Sequence, residues 1–229
     1  MSRTKIENRR LPYYTKNAEI FNTVSHIVGG GFGVLVLVAC TVFSALYKNW
    51  WGLACSIFYS LMMIFLYTMS SVYHGLKRGR AKKVMQVLDH CSIFALIVGT
   101  YAPVLGTGLR EYNPVLTIVI TALVIVGTAV GVTFTAIDFK RYQVISYASY
   151  FVIGWSMILA IKEVYNAFGL EFVLWLVIGG AVYTLGMIFF GMSAKNPKKY
   201  EYGHSIFHLF ILAGSMLQFV GIFKFCVCR

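Results

Sequence analysis

Gly203-His204-Ser205-Ile206-Phe207-His208-Leu209-Phe210 opens a stretch, residues 204–226, that stays apolar for the length of a membrane crossing and carries two histidines at its entrance. A spanning helix needs about 20 mostly apolar residues. Working outward, six more stretches have the same character, near residues 20–47, 51–75, 84–105, 114–136, 143–161 and 170–193. The whole 229-residue chain is 59% apolar and 12% charged, with a mean hydropathy of +0.73, which places it with integral membrane proteins rather than soluble globules. The connectors are short and polar. The reading is therefore all-α: a polytopic membrane protein with seven transmembrane helices in one bundle, a single domain over 1–229 that includes a basic cytoplasmic tail over 1–19. The first stretch exceeds a signal-peptide core and lacks a small-residue cleavage site, so it reads as a retained helix.

The net charge of +12 would suit nucleic acid, but its distribution argues for topology instead. Arg3, Lys5, Arg9, Arg10 and Lys16 precede helix 1; Lys77, Arg78, Arg80, Lys82 and Lys83 follow helix 2; Lys140 and Arg141 follow helix 4; Lys195, Lys198 and Lys199 follow helix 6. The alternate connectors hold only Lys48, Arg110, Lys162, Lys224 and Arg229. By the positive-inside rule the N-terminus is cytoplasmic and the C-terminus lies outside a cell membrane crossed several times. No nucleic-acid partner is expected.

Gly79, Pro114 and Asn196-Pro197 punctuate connectors as turn residues do, and no fixed-period repeat is visible. Pro103, near the outer end of helix 3, kinks or ends it. Tyr13-Tyr14 and Trp50-Trp51 read as interfacial anchors. Gly127 and Gly131, spaced as GxxxG, permit close packing within the chain or in a homo-oligomer.

His204 and His208 stand four residues apart, on one helix face, where two imidazoles can share a metal ion. Polar groups inside a membrane are costly and usually serve function. Three clusters reach the same depth: His74 at the inner end of helix 2, Asp89 at the inner start of helix 3, and the histidine pair at the inner start of helix 7, all roughly 5–14 Å from their basic flanks at 1.5 Å per residue. Asp89 alone of the eight acidic residues lies within an apolar segment; Glu7, Glu19, Glu111, Asp138, Glu163, Glu171 and Glu201 fall in the tail, connectors or helix ends. A carboxylate there needs a cation, a bound water or a hydrogen-bonding partner. Ser70, one turn before His74, shares its face.

Three neutral imidazoles with an open fourth position suit catalytic zinc, with Asp89 as the general base. The alternative is that the histidines hydrogen-bond between helices, and that Ser70 bonds its own backbone or packs closely. His26 in helix 1 and His90, which points about 100° away from Asp89 around its helix, read as structural hydrogen bonders rather than ligands. Cys40, Cys55 and Cys91 read as small hydrophobes. Cys226 and Cys228 do so too, with oxidation or lipidation as the other reading.

Ser70-Ser71-Val72-Tyr73-His74, Asp89-His90-Cys91-Ser92-Ile93-Phe94 with Gly99-Thr100-Tyr101-Ala102-Pro103, and His204 through Phe210 resemble the signature blocks of the hemolysin III family. That family belongs with the progestin and adipoQ receptors, including the adiponectin receptors. Glu19, Asn22 and His26, and Gly179-Gly180 with Tyr183-Thr184, also look familial, so the resemblance covers nearly the whole chain. It implies a seven-helix fold with zinc held by His74, His204 and His208, Asp89 joined to the metal set through a water, and Ser70 nearby. It also implies kinship with membrane metal-dependent hydrolases, in which the adiponectin receptors are linked to ceramide hydrolysis. The short tails resemble the bacterial branch, with roles in membrane-lipid homeostasis. Relatives often carry a further histidine where this chain has Gln218.

Three functions follow as expectations: a zinc-dependent hydrolase of a lipid amide or ester that enters between helices, a receptor-like sensor with structural zinc, and a cytolysin. Seven overtly apolar spans travel poorly through water, which counts against the last.

Overall fold

The structure, a computed structural model, describes residues 4–229; Arg3 of the basic tail lies outside the described residues. Among the described residues, seven helices are long and apolar enough to cross a membrane: α1 (Lys16–Leu46), α2 (Trp50–Gly75), α3 (Arg80–Tyr112), α4 (Pro114–Asp138), α5 (Gln143–Phe168), α6 (Leu170–Lys195) and α7 (Gly203–Val227). At 1.5 Å per residue even the shortest is long enough to cross a hydrocarbon core of about 30 Å. Their starts are written locally. The Thr15 hydroxyl accepts the Ala18 N–H, Asn49 Oδ1 accepts the Gly52 N–H, and Asn113 Oδ1 accepts the Leu116 N–H just after Pro114, relieving donors that a helix start leaves bare.

Each helix packs on its successor and α7 closes against α1. The seven form a ring in chain order, with α3 also touching α5 and α7. In α3 61% of the most apolar window is buried, against 17–39% in the other six, so α3 is the central helix and the rest share lipid-facing sides. The interior behind the site is filled by Tyr59, Met63, Tyr67 and Phe94.

Two helices outrun their sequence-based bounds. Helix α3, expected to end near residue 105, is α-helical through Pro103 to Val104; a π-helical turn over Leu105–Leu109, kinked at Thr107, then carries the apolar span on to Tyr112. Within that turn the Thr107 hydroxyl donates to the Pro103 carbonyl at 2.7 Å. Helix α5 runs to Phe168 rather than 161, with a 3-10 segment at Ser156–Ala160. There the Tyr101 phenol of α3 enters the ladder, donating to the Ile153 carbonyl (2.9 Å) and accepting the Met157 N–H (2.8 Å).

The two GxxxG glycines pack inside the chain. A Cβ on Gly127 would press on Ile153 of α5, and one on Gly131 would enter the Phe94 ring of α3.

Candidate metal centre

His74 ends α2, and His204 and His208 occupy the first two turns of α7; all three are buried. Their imidazole Nε2 atoms converge, with 3.2 Å from His74 to His204 and 3.1 Å from His204 to His208. One ligand atom from each lies within 4.8 Å of the other two. Among the described residues this is the group able to hold a metal ion.

The far side of the rings fixes what the near side presents. Glu19 of α1 places Oε2 2.7 Å from His74 Nδ1, so that nitrogen carries the proton and Nε2 is a bare acceptor. The Ser25 hydroxyl donates to the Asn22 carbonyl and faces His208 Nδ1 at 3.4 Å. His208 then donates through Nδ1 and its Nε2 is likewise bare. Lone pairs aimed at one point repel unless a cation or a proton lies between them, and a carboxylate behind a histidine is the arrangement that orients metal ligands. The residues present fit a metal ion.

Glu19 is held in turn by Lys82 Nζ at 2.8 Å, and that ammonium also donates to the His74 and Leu76 carbonyls at 3.1 and 2.9 Å. Lys82, read in the sequence only as one of the basic residues that mark topology, is 3% exposed and so also has a structural role. In sequence nothing separates it from neighbouring Lys83, which reaches out to the Glu7 carbonyl. By its chemistry Glu19 was legible as a helix-end acid, and the family resemblance already grouped it with Asn22 and His26, with which it shares a face at i, i+3 and i+7. Tyr14 differs from the anchor expected of the Tyr13-Tyr14 pair. Tyr13 is exposed, but Tyr14 lays its ring against His204 (4.9 Å between centroids) and His74 (5.5 Å). Burial, then the nearby Asp89 and Glu19 carboxylates, push its phenol well above its usual range.

A cavity of about 180 Å³ adjoins the centre and is lined by Ser70, Asp89, His204 and His208. Asp89 lies outside the convergent trio; its Oδ2 is 3.6 Å from His90 Nδ1. His90 donates from Nδ1 to the Gln86 carbonyl at 2.7 Å. His26 stacks on the His208 ring at 3.7 Å and meets Tyr67 edge-on. Gln218 also lines the cavity and donates to the Leu176 carbonyl of α6 at 3.0 Å, pinning α6 to α7. Phe151, Ile158 and Val177 line the cavity while remaining exposed on the outside of the bundle. The cavity therefore reaches the lipid-facing surface between α5 and α6.

The family model described as "Haemolysin-III related" matches residues 14–219. The chain is 33% identical over 217 residues to the "Hemolysin-3 homolog" of Bacillus subtilis (strain 168), covering 93% of this chain and 97% of that protein. It is 31% identical to "Hemolysin-3" of Bacillus cereus, covering 95% and 93%. A more distant likeness, 25% over 197 residues, joins it to the human "Monocyte to macrophage differentiation factor", covering 84% and 79%. No solved structure matches significantly. Seven apolar helices closed in chain order, three histidines converging between the second and the seventh, and a match over most of the length lead to one assignment: this chain is a multi-pass membrane protein of the haemolysin-III-related family.

Proposed function

We propose that the chain is a zinc-dependent membrane hydrolase acting on the amide or ester of a lipid, at the cytoplasmic end of the bundle. The observation that carries this reading is the junction of the convergent histidine nitrogens with a cavity that also holds Asp89 and Ser70 and opens toward lipid. Three imidazoles and no thiolate suit zinc with one position free. Zinc bound there supplies a Lewis acid and an activated water. Asp89 accepts the proton released as the carbonyl carbon is attacked, and delivers it to the leaving amine or alkoxide. The Ser70 hydroxyl orients the substrate oxygen. Glu19 and Ser25 keep His74 and His208 in the tautomer that presents Nε2. Tyr14 shields the centre on the tail side, and the α5–α6 opening admits an acyl chain without exposing it to water.

The basic residues flanking the centre support a cytoplasmic orientation by the positive-inside rule. A regulator with structural zinc is the second reading, favoured by Glu19 and Lys82, which bind α1, α2 and α3 around the histidines. The relatives' printed name suggests cytolysis, but large side chains such as Tyr59, Tyr67 and Phe94 pack the interior, an arrangement ill-suited to a pore.

The deciding measurement is release of fatty acid from a panel of lipid amides and esters by purified protein containing about one zinc per chain. Wild-type turnover with Asp89→Asn inactive and still metal-loaded supports the hydrolase. Equal turnover in Asp89→Asn removes it, and a drop in thermal stability on chelation with no turnover on any substrate leaves the regulator.

A further inference from the structure

A second cavity, of about 460 Å³, lies at the tail end of the bundle, where the N-terminal segment crosses the start of α3 and the connector from α4 to α5. Its wall includes four cationic side chains, Arg9, Arg10, Lys140 and Arg141, and one acid, Asp138. Asp138 Oδ1 accepts the Arg141 N–H at 3.2 Å, and its carboxylate also faces the Arg9 and Arg141 charges. The balance of charge in the wall is positive.

Exposed lysines and arginines usually form a solvated face, and three of the four are exposed. Arg9 is the exception. It is buried to 9% exposure, and its Nη2 donates to the Ala136 and Ile137 carbonyls at the end of α4. Its Nη1 is also buried, and among the described residues it has no partner. A buried guanidinium donor without an acceptor is costly, and guanidinium matches the oxygens of a phosphate better than any other side chain.

The surroundings select the source of that phosphate. Val84 and Leu88 on α3 and Val144 and Ile145 on α5, neighbours in sequence of the cavity wall, are exposed apolar residues on spanning helices. The cavity thus sits where charged headgroups give way to acyl chains. Basic pockets between helices at that depth are suited to phospholipid headgroups.

We infer that this cavity is a binding site for the phosphate of an anionic phospholipid, held by Arg9, Arg10, Lys140 and Arg141, with the acyl chains lying along α3 and α5. The site is separate from the histidine centre and stands whether or not that centre hydrolyses anything.

The test uses the full chain in a neutral detergent, titrated with phosphatidylglycerol or phosphatidylcholine and read by native mass spectrometry. The expected result is a preference for phosphatidylglycerol that falls by about tenfold or more in Arg10→Gln/Lys140→Gln/Arg141→Gln. These positions are exposed, so folding survives. Lys195→Gln/Lys198→Gln/Lys199→Gln removes equal charge from another exposed stretch and should keep the preference. Arg9→Lys, which retains the charge but not the fork, should weaken it. No preference in the wild type, or equal loss in both triple variants, would overturn the site. Millimolar inorganic phosphate displacing phosphatidylglycerol completely would assign the cavity to free phosphate and overturn the lipid assignment.

Discussion

Glu19 Oε2 lies 2.7 Å from His74 Nδ1, while its other carboxylate oxygen lies 2.8 Å from Lys82 Nζ. One acid thus fixes the tautomer of a candidate ligand and neutralises a buried ammonium, tying α1 to α2 and α3. The likeness of this arrangement to known metal centres lies in that outer support as much as in the three imidazoles.

Replacing Glu19 by Gln should therefore weaken metal binding by about 10–100-fold, the usual cost of losing such a partner. Competition of the purified protein with a chromogenic zinc chelator measures it. Unchanged affinity would mean that Glu19 serves Lys82 alone.

Lys82 is 3% exposed and Glu19 is partly open to solvent, so breaking the pair should cost less than a fully buried one. Lys82→Met is expected to lower stability by about 1–3 kcal/mol, seen as a fall in the thermal midpoint in detergent. Adding Glu19→Gln to Lys82→Met should recover part of that fall, because the carboxylate left without its ammonium is then gone. A strictly additive double variant would refute the coupling.

His26 and His208 stack face to face at 3.7 Å, yet only His208 belongs to the convergent trio. His208→Ala should abolish stoichiometric metal in elemental analysis. His26→Phe should retain it, since a flat ring of similar size preserves the stack. Metal loss in both would enlist His26 as a ligand.

A side chain at position 131 would collide with the Phe94 ring. Gly131→Leu should destabilise the bundle by about 1–3 kcal/mol without changing the oligomeric state seen by light scattering. Conversion of a dimer to a monomer would instead show that the glycine face serves contacts between copies.

The number of spanning helices and the residues able to meet at one metal were legible in the sequence. Apolar length is a local property, and a shared membrane depth follows from counting residues away from basic flanks. That is why His74, His204 and His208 could be grouped before any contact was known. Counting placed the break near Pro103, but the kinked π-helical turn that carries the span on to Tyr112 was not visible, because it depends on packing rather than on residue identity. It did not foresee the burial of Lys82 or the turn of Tyr14 toward the histidines, because depth says nothing about which way a side chain turns. Their direction depends on Glu19 and the histidine rings, brought from distant helices. Asp89 was legible as an acid in an apolar segment, but its place on the cavity wall outside the trio is fixed only by how α3 packs in the bundle. Composition, periodicity and charge placement thus determined the seven crossings and the candidate ligands, whereas the tertiary structure decided what surrounds them, because orientation around a helix axis is set by packing against neighbours that the local sequence does not contain.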